Sequence, residues 1–343
     1  MRRTAQVALP LALLLVAALA GCAGANDSGG LRLGYFPNVT HAQALYGIQA
    51  GLYAKELGAL PFTPVQFNAG PNALEALLSG HVDATYVGPG PTINALAQTG
   101  SDVLRVIAGA ASGGARFIVR GDVAIGGDGD LGGKTFATPQ LGNTQDLSLK
   151  DWLRQHGHTT TDRGGDVQVL NAANPDILTL FVQKQVHGAW VPEPWAARLV
   201  ADGGGRELLD ERSLWPDGKF STTLLVTTGD YLGRHPDRVR ALLEAHIQAT
   251  DAVQAGNASA LQAVNDGIRA ATGKALSPGL LAESFTKLNF TNDPLAATLA
   301  AFGEKARGLG LLHGTLPPLP QSVALGPLNE VLARHGRAGV ALP

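Results

Sequence analysis

A strand–turn–helix alternation appears twice along the chain, and this limits the fold to a pair of parallel α/β units. Residues 31–36 (LRLGYF) are bounded by Gly30 and Pro37 and read as a first strand. Thr40-x-x-Gln43 resembles a capping box, and Ala44, Leu45, Ile48 and Leu52 carry a helix to about Tyr53. A second strand follows at 62–67, and Ala69-Gly70-Pro71-Asn72 opens a helix that runs through Leu78. Strands at 82–87 and 103–108 flank a helix at 92–98. After Arg120 the pattern restarts, with a strand at 134–138, a helix at 143–156 and a strand at 167–170. A helix headed by Asn174-Pro175-Asp176 and a short strand at 188–191 complete this second unit. The run 222–227 (TTLLVT) predicts a strand returning to the first unit, and from Asp230 the pattern is almost wholly helical. The expected organisation is a first lobe of residues 31–120 plus 222–343 and an inserted second lobe of residues 121–221. The Gly/Asp-rich stretch 121–133 serves as the crossing, with a hinge near Arg120 and Thr222.

The amino terminus carries an export signature. Arg2 and Arg3 precede an apolar run at 7–20, which has the length of a signal-peptide core and is short for a membrane span. The run ends in Leu19-Ala20-Gly21-Cys22, which looks like a bacterial lipobox, with residues 1–21 as signal peptide and Cys22 as the site of lipid attachment. Cys22 is the only cysteine, so no internal disulfide can form, and a thiol-free body suits an oxidising compartment. Residues 22–30 read as a flexible tether. These features place the protein in the cell envelope, anchored to the membrane through its N-terminal lipid.

Several functions are excluded or left without support. A net charge of −2 with no basic stripe gives no grip on nucleic acid. No HExxH, nucleophile elbow, phosphate-binding loop or clustered metal signature occurs, and the nine histidines are scattered. The chain therefore reads as a monomeric binding protein without cofactor or metal, not as an enzyme. The 44 glycines reflect a general compositional bias, so glycine-rich stretches carry less information than usual.

The ordered motifs resemble a known family. Leu31-Arg32-Leu33-Gly34-Tyr35-Phe36-Pro37, Ala69-Gly70-Pro71-Asn72-Ala73-Leu74-Glu75-Ala76-Leu77 and Tyr86-Val87-Gly88-Pro89-Gly90-Pro91 carry the resemblance in the first half. Pro139-Gln140-Leu141-Gly142-Asn143-Thr144 and Ala189-Trp190-Val191-Pro192-Glu193-Pro194-Trp195 carry it in the second. Together they are similar to the nitrate/sulfonate/taurine family of ABC-transporter substrate-binding proteins. The resemblance implies an α/β, two-lobe periplasmic-binding-protein-like fold, each lobe a mixed sheet flanked by helices, with a hinge and a helical C-terminal region. It also implies a small-molecule ligand between the lobes, with an ABC permease and its ATPase as partners. The cysteine-rich motif of the enzyme branch, the thiamine-pyrimidine synthases, is absent.

In parallel α/β sheets ligands sit beyond the carboxyl ends of strands, where helix starts converge, and the candidate residues follow from that rule. Gln140, Gly142, Asn143, Thr144 and Gln145 form a turn of amides, glycine and hydroxyl ahead of a helix, suited either to an anionic headgroup or to ordinary capping. Tyr35 and Phe36 offer an apolar face, with Asn38 and His41 as polar contacts, although His41 could equally point to solvent. Gly88, Pro89 and Gly90 form a rigid turn that brings backbone close to a ligand or only connects strand to helix. Glu193 and Trp195 also follow a second-lobe strand, and the resemblance implies that this acid can face the cleft and suit an amine or ring nitrogen, the alternative being a surface acid beside a core tryptophan. Two ligand classes remain open, an oxyanion such as a sulfonate, taurine or nitrate, and a thiamine-precursor-like heterocycle. A ligand-sensing lipoprotein without a transport role is a third reading.

Overall fold

The computed structural model describes residues 29–342, so the apolar run at 7–20 and Cys22 lie outside the described residues. No helix among the described residues is long and apolar enough to cross a membrane. Strands β1 (Leu31–Tyr35), β2 (Phe62–Gln66), β3 (Ala84–Val87) and β4 (Leu104–Gly113) come first in the chain. They are followed by β5 (Ala115–Arg120), β6 (Thr135–Pro139), β7 (Gln168–Ala172), β8 (Gly188–Pro192) and β9 (Gly205–Asp210), and then by β10 (Ser221–Thr228) and β11 (Leu288–Phe290).

These strands form two mixed sheets, in the orders β11-β4-β10-β3-β1-β2 and β7-β6-β8-β5-β9. In each sheet the three parallel strands are followed by one antiparallel strand delivered from the other half of the chain. That strand is β10 in the first sheet and β5 in the second. Burial explains the strand sequences. β3 and β10 are covered on both faces and read as near-continuous apolar or β-branched runs, whereas β2 is an exposed edge that tolerates Pro64.

The crossing between sheets corrects the expected boundary. β5 pairs with β8 and β9 in the second sheet, so the chain changes sheets at Gly113-Gly114 and not at 121–133. Both glycines have left-handed backbones, at φ 77° and 70°. A Cβ at 113 would lie 2.7 Å from the Lys287 carbonyl oxygen and one at 114 would lie 2.3 Å from the Leu288 side chain, so glycine is required twice over. β10 brings the chain back beside this point, where the Thr222 hydroxyl donates to the Gly113 carbonyl at 2.5 Å.

The capping box also fails. Thr40 is buried in a 3-10 turn (Val39–His41), and Gln43 turns inward to donate to the Ala110 carbonyl at 2.5 Å. The helix it was expected to cap, Ala42–Gln49, has no side-chain cap. The C-terminal region is helical apart from β11. One of its helices, Ala296–Gly308, packs on the Pro89–Thr99 helix of the first lobe and the Thr144–Gln155 helix of the second. Phe302 anchors it, fully buried in one apolar cluster with Ile93, Phe117, Trp190 and Trp215. Burying a side chain of that kind contributes about 2 kcal/mol.

Candidate functional site

The two sheets point the carboxyl ends of their parallel strands at each other, and four polypeptide turns meet there. The first follows β1. His41 closes a short turn back onto Phe36, stacking on its ring at 4.4 Å and accepting the Phe36 N–H through Nδ1 at 3.3 Å. Burial pushes the imidazole down to a pKa of about 3, so the ring is neutral and keeps its proton on Nε2.

The second and third turns come from opposite lobes and touch. After β3, Gly88 precedes the Pro89–Thr99 helix, so Gly88-Pro89-Gly90-Pro91 is the entry and first turn of that helix and not a separate loop. After β6, Asn143 precedes the Thr144–Gln155 helix. The Gly90 N–H donates to Thr144 Oγ1 at 3.1 Å across the gap. A Cβ on Gly90 would sit 2.9 Å from the Thr144 backbone, and one on Gly88 2.4 Å from Thr144 Oγ1, so both glycines permit close approach of the lobes. Asp146, fully buried, fixes the second-lobe turn by accepting from the Gly142 N–H, Thr138, Asn171 and Lys150. The N–H groups of Thr144 and Gln145 take no acceptor among the described residues, as expected for a first helical turn. The fourth turn follows β7, where Asn174 lies inside the first turn of the Asn174–Val182 helix and is not its cap.

These turns line a narrow crevice of about 20 Å³. Phe36, Asn38, His41, Gly88, Asn143, Thr144 and Gln145 line it, all of them expected site residues. Asn68, Asn174, Thr222 and Thr223 line it too and were not expected. Asn174 Oδ1 and Thr223 Oγ1 are buried without a hydrogen-bond partner. None of the described residues around the crevice carries a formal charge at neutral pH, so it offers neutral donors and helix starts.

Other expected residues lie elsewhere. Tyr35 ends β1 and packs into the first-lobe core clusters. Pro89 and Gly90 form the lobe–lobe contact without lining the crevice. Gln140 follows β6 outside the crevice wall, and Gly142, at φ 77°, lies beside exposed Leu141 on an outer groove. Glu193 faces inward, corrected from a ligand contact to a structural acid. Its Oε1 lies 2.7 Å from Arg116 Nε and 2.6 Å from Arg116 Nη2, and its Oε2 accepts from the Ala197 N–H and the Ser284 hydroxyl. Arg116 also pairs with Glu207 and Glu283 at 3.1 Å each. Trp195 donates through Nε1 to Asn38 Oδ1 at 2.8 Å, a second bond across the gap. It lines an adjoining cavity of about 200 Å³.

Two α/β lobes with a polar crevice at their facing strand ends are the architecture of the periplasmic binding proteins. Residues 24–265 match the model of the NMT1-like family, and the chain belongs to that family. The taurine-binding periplasmic protein of Escherichia coli (strain K12) is 27% identical over 197 residues. That match takes in 57% of this chain and 58% of the relative, so the chain spans less than two thirds of that relative's length. The alkanesulfonate-binding protein SsuA from Xanthomonas axonopodis pv. citri, solved bound to MOPS, superposes with a TM-score of 0.72 at 20% identity, over 87% of this chain and 99% of that one. The periplasmic nitrate-binding protein NrtA from Synechocystis PCC 6803 gives 0.70 at 15% identity, over 89% of each chain. These two likenesses establish the fold.

Proposed function

We propose that the protein captures a small oxyanion of the sulfonate, taurine or nitrate class between its lobes and presents it to an ABC permease and its ATPase. Cys22 carries the lipid that holds it to the membrane in this reading, which includes no catalytic step. The supporting observation is the crevice itself, where helix starts from both lobes converge on a space walled by neutral donors. Those donors include the Thr144 and Gln145 N–H groups, the Nε2–H of His41 and the hydroxyl of Thr223. Neutral N–H groups at helix starts hold a desolvated anion without a lysine or arginine.

The hinge at Gly113-Gly114 lets the lobes separate, and the bonds Gly90–Thr144 and Asn38–Trp195 form on closure. A ligand that touches both lobes binds the closed form better and shifts the population toward it. The heterocycle reading loses its acid, because Glu193 is held by Arg116. A thermal-shift screen of the purified protein against sulfonates, taurine, nitrate and thiamine precursors tests the proposal. An oxyanion should give the largest rise, and a rise only with thiamine precursors would overturn it.

A further inference from the structure

We infer that the crevice selects an oxyanion whose substituent carries no ammonium group, taking a simple alkanesulfonate in preference to an aminosulfonate such as taurine. The inference rests on the oxyanion reading above and narrows it. It also parts this chain from the relative named as taurine-binding.

Two adjoining cavities make up the space between the lobes. The inner one, of about 20 Å³, and the outer one, of about 200 Å³, share Phe36, Asn38, Asn68 and Asn174 in their walls. A headgroup on the helix starts of the inner cavity therefore sends its substituent into the outer one, toward Gln66 and Trp195. An ammonium drawn into that space brings three donors and a full positive charge, and the space, walled in part by exposed Gln66, Asn68, Pro175 and Thr272, offers water but no acid to pair it.

The walls offer it amide and hydroxyl groups but no countercharge. No described residue lining either cavity is acidic. The nearby acid in the sequence, Glu193, is fully buried, with both oxygens engaged by Arg116, Ala197 and Ser284. The Asn38 oxygen accepts from Trp195. The Trp195 ring, which could otherwise take a cation on its face, already has the Arg198 guanidinium 5.0 Å from its centroid. Arg198 is held there by Asp202, 3.2 Å from its Nε. The amide oxygens on the walls, Asn174 Oδ1 among them, can accept from an ammonium but carry no charge to balance it, and an amide can turn to offer N–H groups instead.

Calorimetric titration of the purified protein with ethanesulfonate and with taurine tests this directly, because the two differ only by the amino group. Ethanesulfonate should bind about threefold more tightly or better, the scale set by charge interactions in a space that water reaches. Taurine binding as tightly or more tightly would overturn the inference while leaving the oxyanion reading intact. No binding of ethanesulfonate, taurine or nitrate would overturn the oxyanion reading, and the selectivity with it. A second variant probes the outer cavity. Gln66 is exposed on its wall, so Gln66→Glu should fold and should raise the taurine-to-ethanesulfonate affinity ratio several-fold. An unchanged ratio would contradict placing the substituent there.

Discussion

The Trp195 indole donates to the Asn38 side-chain oxygen at 2.8 Å, joining residues 157 positions apart that belong to opposite lobes. Both residues are buried, and the bond can exist only while the lobes are together. Trp195→Phe keeps the apolar contact and removes the donor. It should weaken ligand binding by about fivefold, the worth of one net hydrogen bond of about 1 kcal/mol, with little change in the ligand-free melting temperature. Calorimetry beside thermal denaturation measures both. A loss of stability with unchanged affinity would make the bond a packing feature only.

The glycine at 90 serves closure and not backbone freedom, since its φ is not left-handed. Gly90→Ala places a Cβ 2.9 Å from the Thr144 backbone. The variant should fold, keep its ligand-free melting point within about 2 °C, and lose most of the ligand-induced rise. Small-angle scattering should show a larger radius of gyration than wild type. A normal ligand response would show that the lobes need not approach this closely.

Glu193 and Arg116 form a buried ion pair, and without Glu193 the buried guanidinium keeps only the more exposed carboxylates of Glu207 and Glu283. Glu193→Ala should cost on the order of 3 kcal/mol, a fall of about 6 °C or more in melting temperature. Ligand affinity of the folded protein should stay within about twofold, because the carboxylate does not line the crevice. A large affinity loss at unchanged stability would return Glu193 to the ligand site.

Thr223 gives the opposite signature. Its hydroxyl is buried without a partner, so Thr223→Val should leave the ligand-free protein equally stable or slightly more so. Ligand affinity should fall about tenfold if that hydroxyl serves the oxyanion. Unchanged affinity would remove Thr223 from the site.

Two buried histidines set a pH dependence. Burial lowers His41 to about 3 and His246 to about 4, below the ordinary 6.5, so between these values the unfolded chain binds more protons than the folded one. The stability they contribute is complete above about pH 6.5 and is lost as pH falls toward 4, by up to about 1.4 kcal/mol per pH unit for each ring. Denaturant unfolding from pH 7.5 to 4.5 measures this, and His246→Gln should flatten part of the slope. Ligand affinity should stay flat from pH 5.5 to 8, because His41 is neutral throughout. A slope that His246→Gln leaves unchanged would contradict the assignment.

The parallel units were legible because glycine and proline punctuate them, and the turn at Asn143, Thr144 and Gln145 stood out as polar residues between a strand and a helix. The sheet crossing was hidden. β4 and β5 are separated by Gly114 alone and read as one apolar stretch with two adjacent glycines, in a chain where 44 glycines dull the signal. Thr222 and Thr223 look like ordinary β-branched strand residues, so nothing local marks them as crevice walls. Asn174 has the composition of a cap, and its place inside the helix is visible only in the backbone. Glu193 misled for a long-range reason, since its partner Arg116 lies 77 residues away on a strand that the sequence pattern did not separate.

A crystal structure of the protein grown with ethanesulfonate tests the account most directly. The sulfonate oxygens should lie within hydrogen-bonding distance of the Thr144 and Gln145 N–H groups, with the Asn38–Trp195 bond in place. A sulfonate bound outside the crevice, or lobes closed to the same degree over a crevice it does not enter, would contradict it.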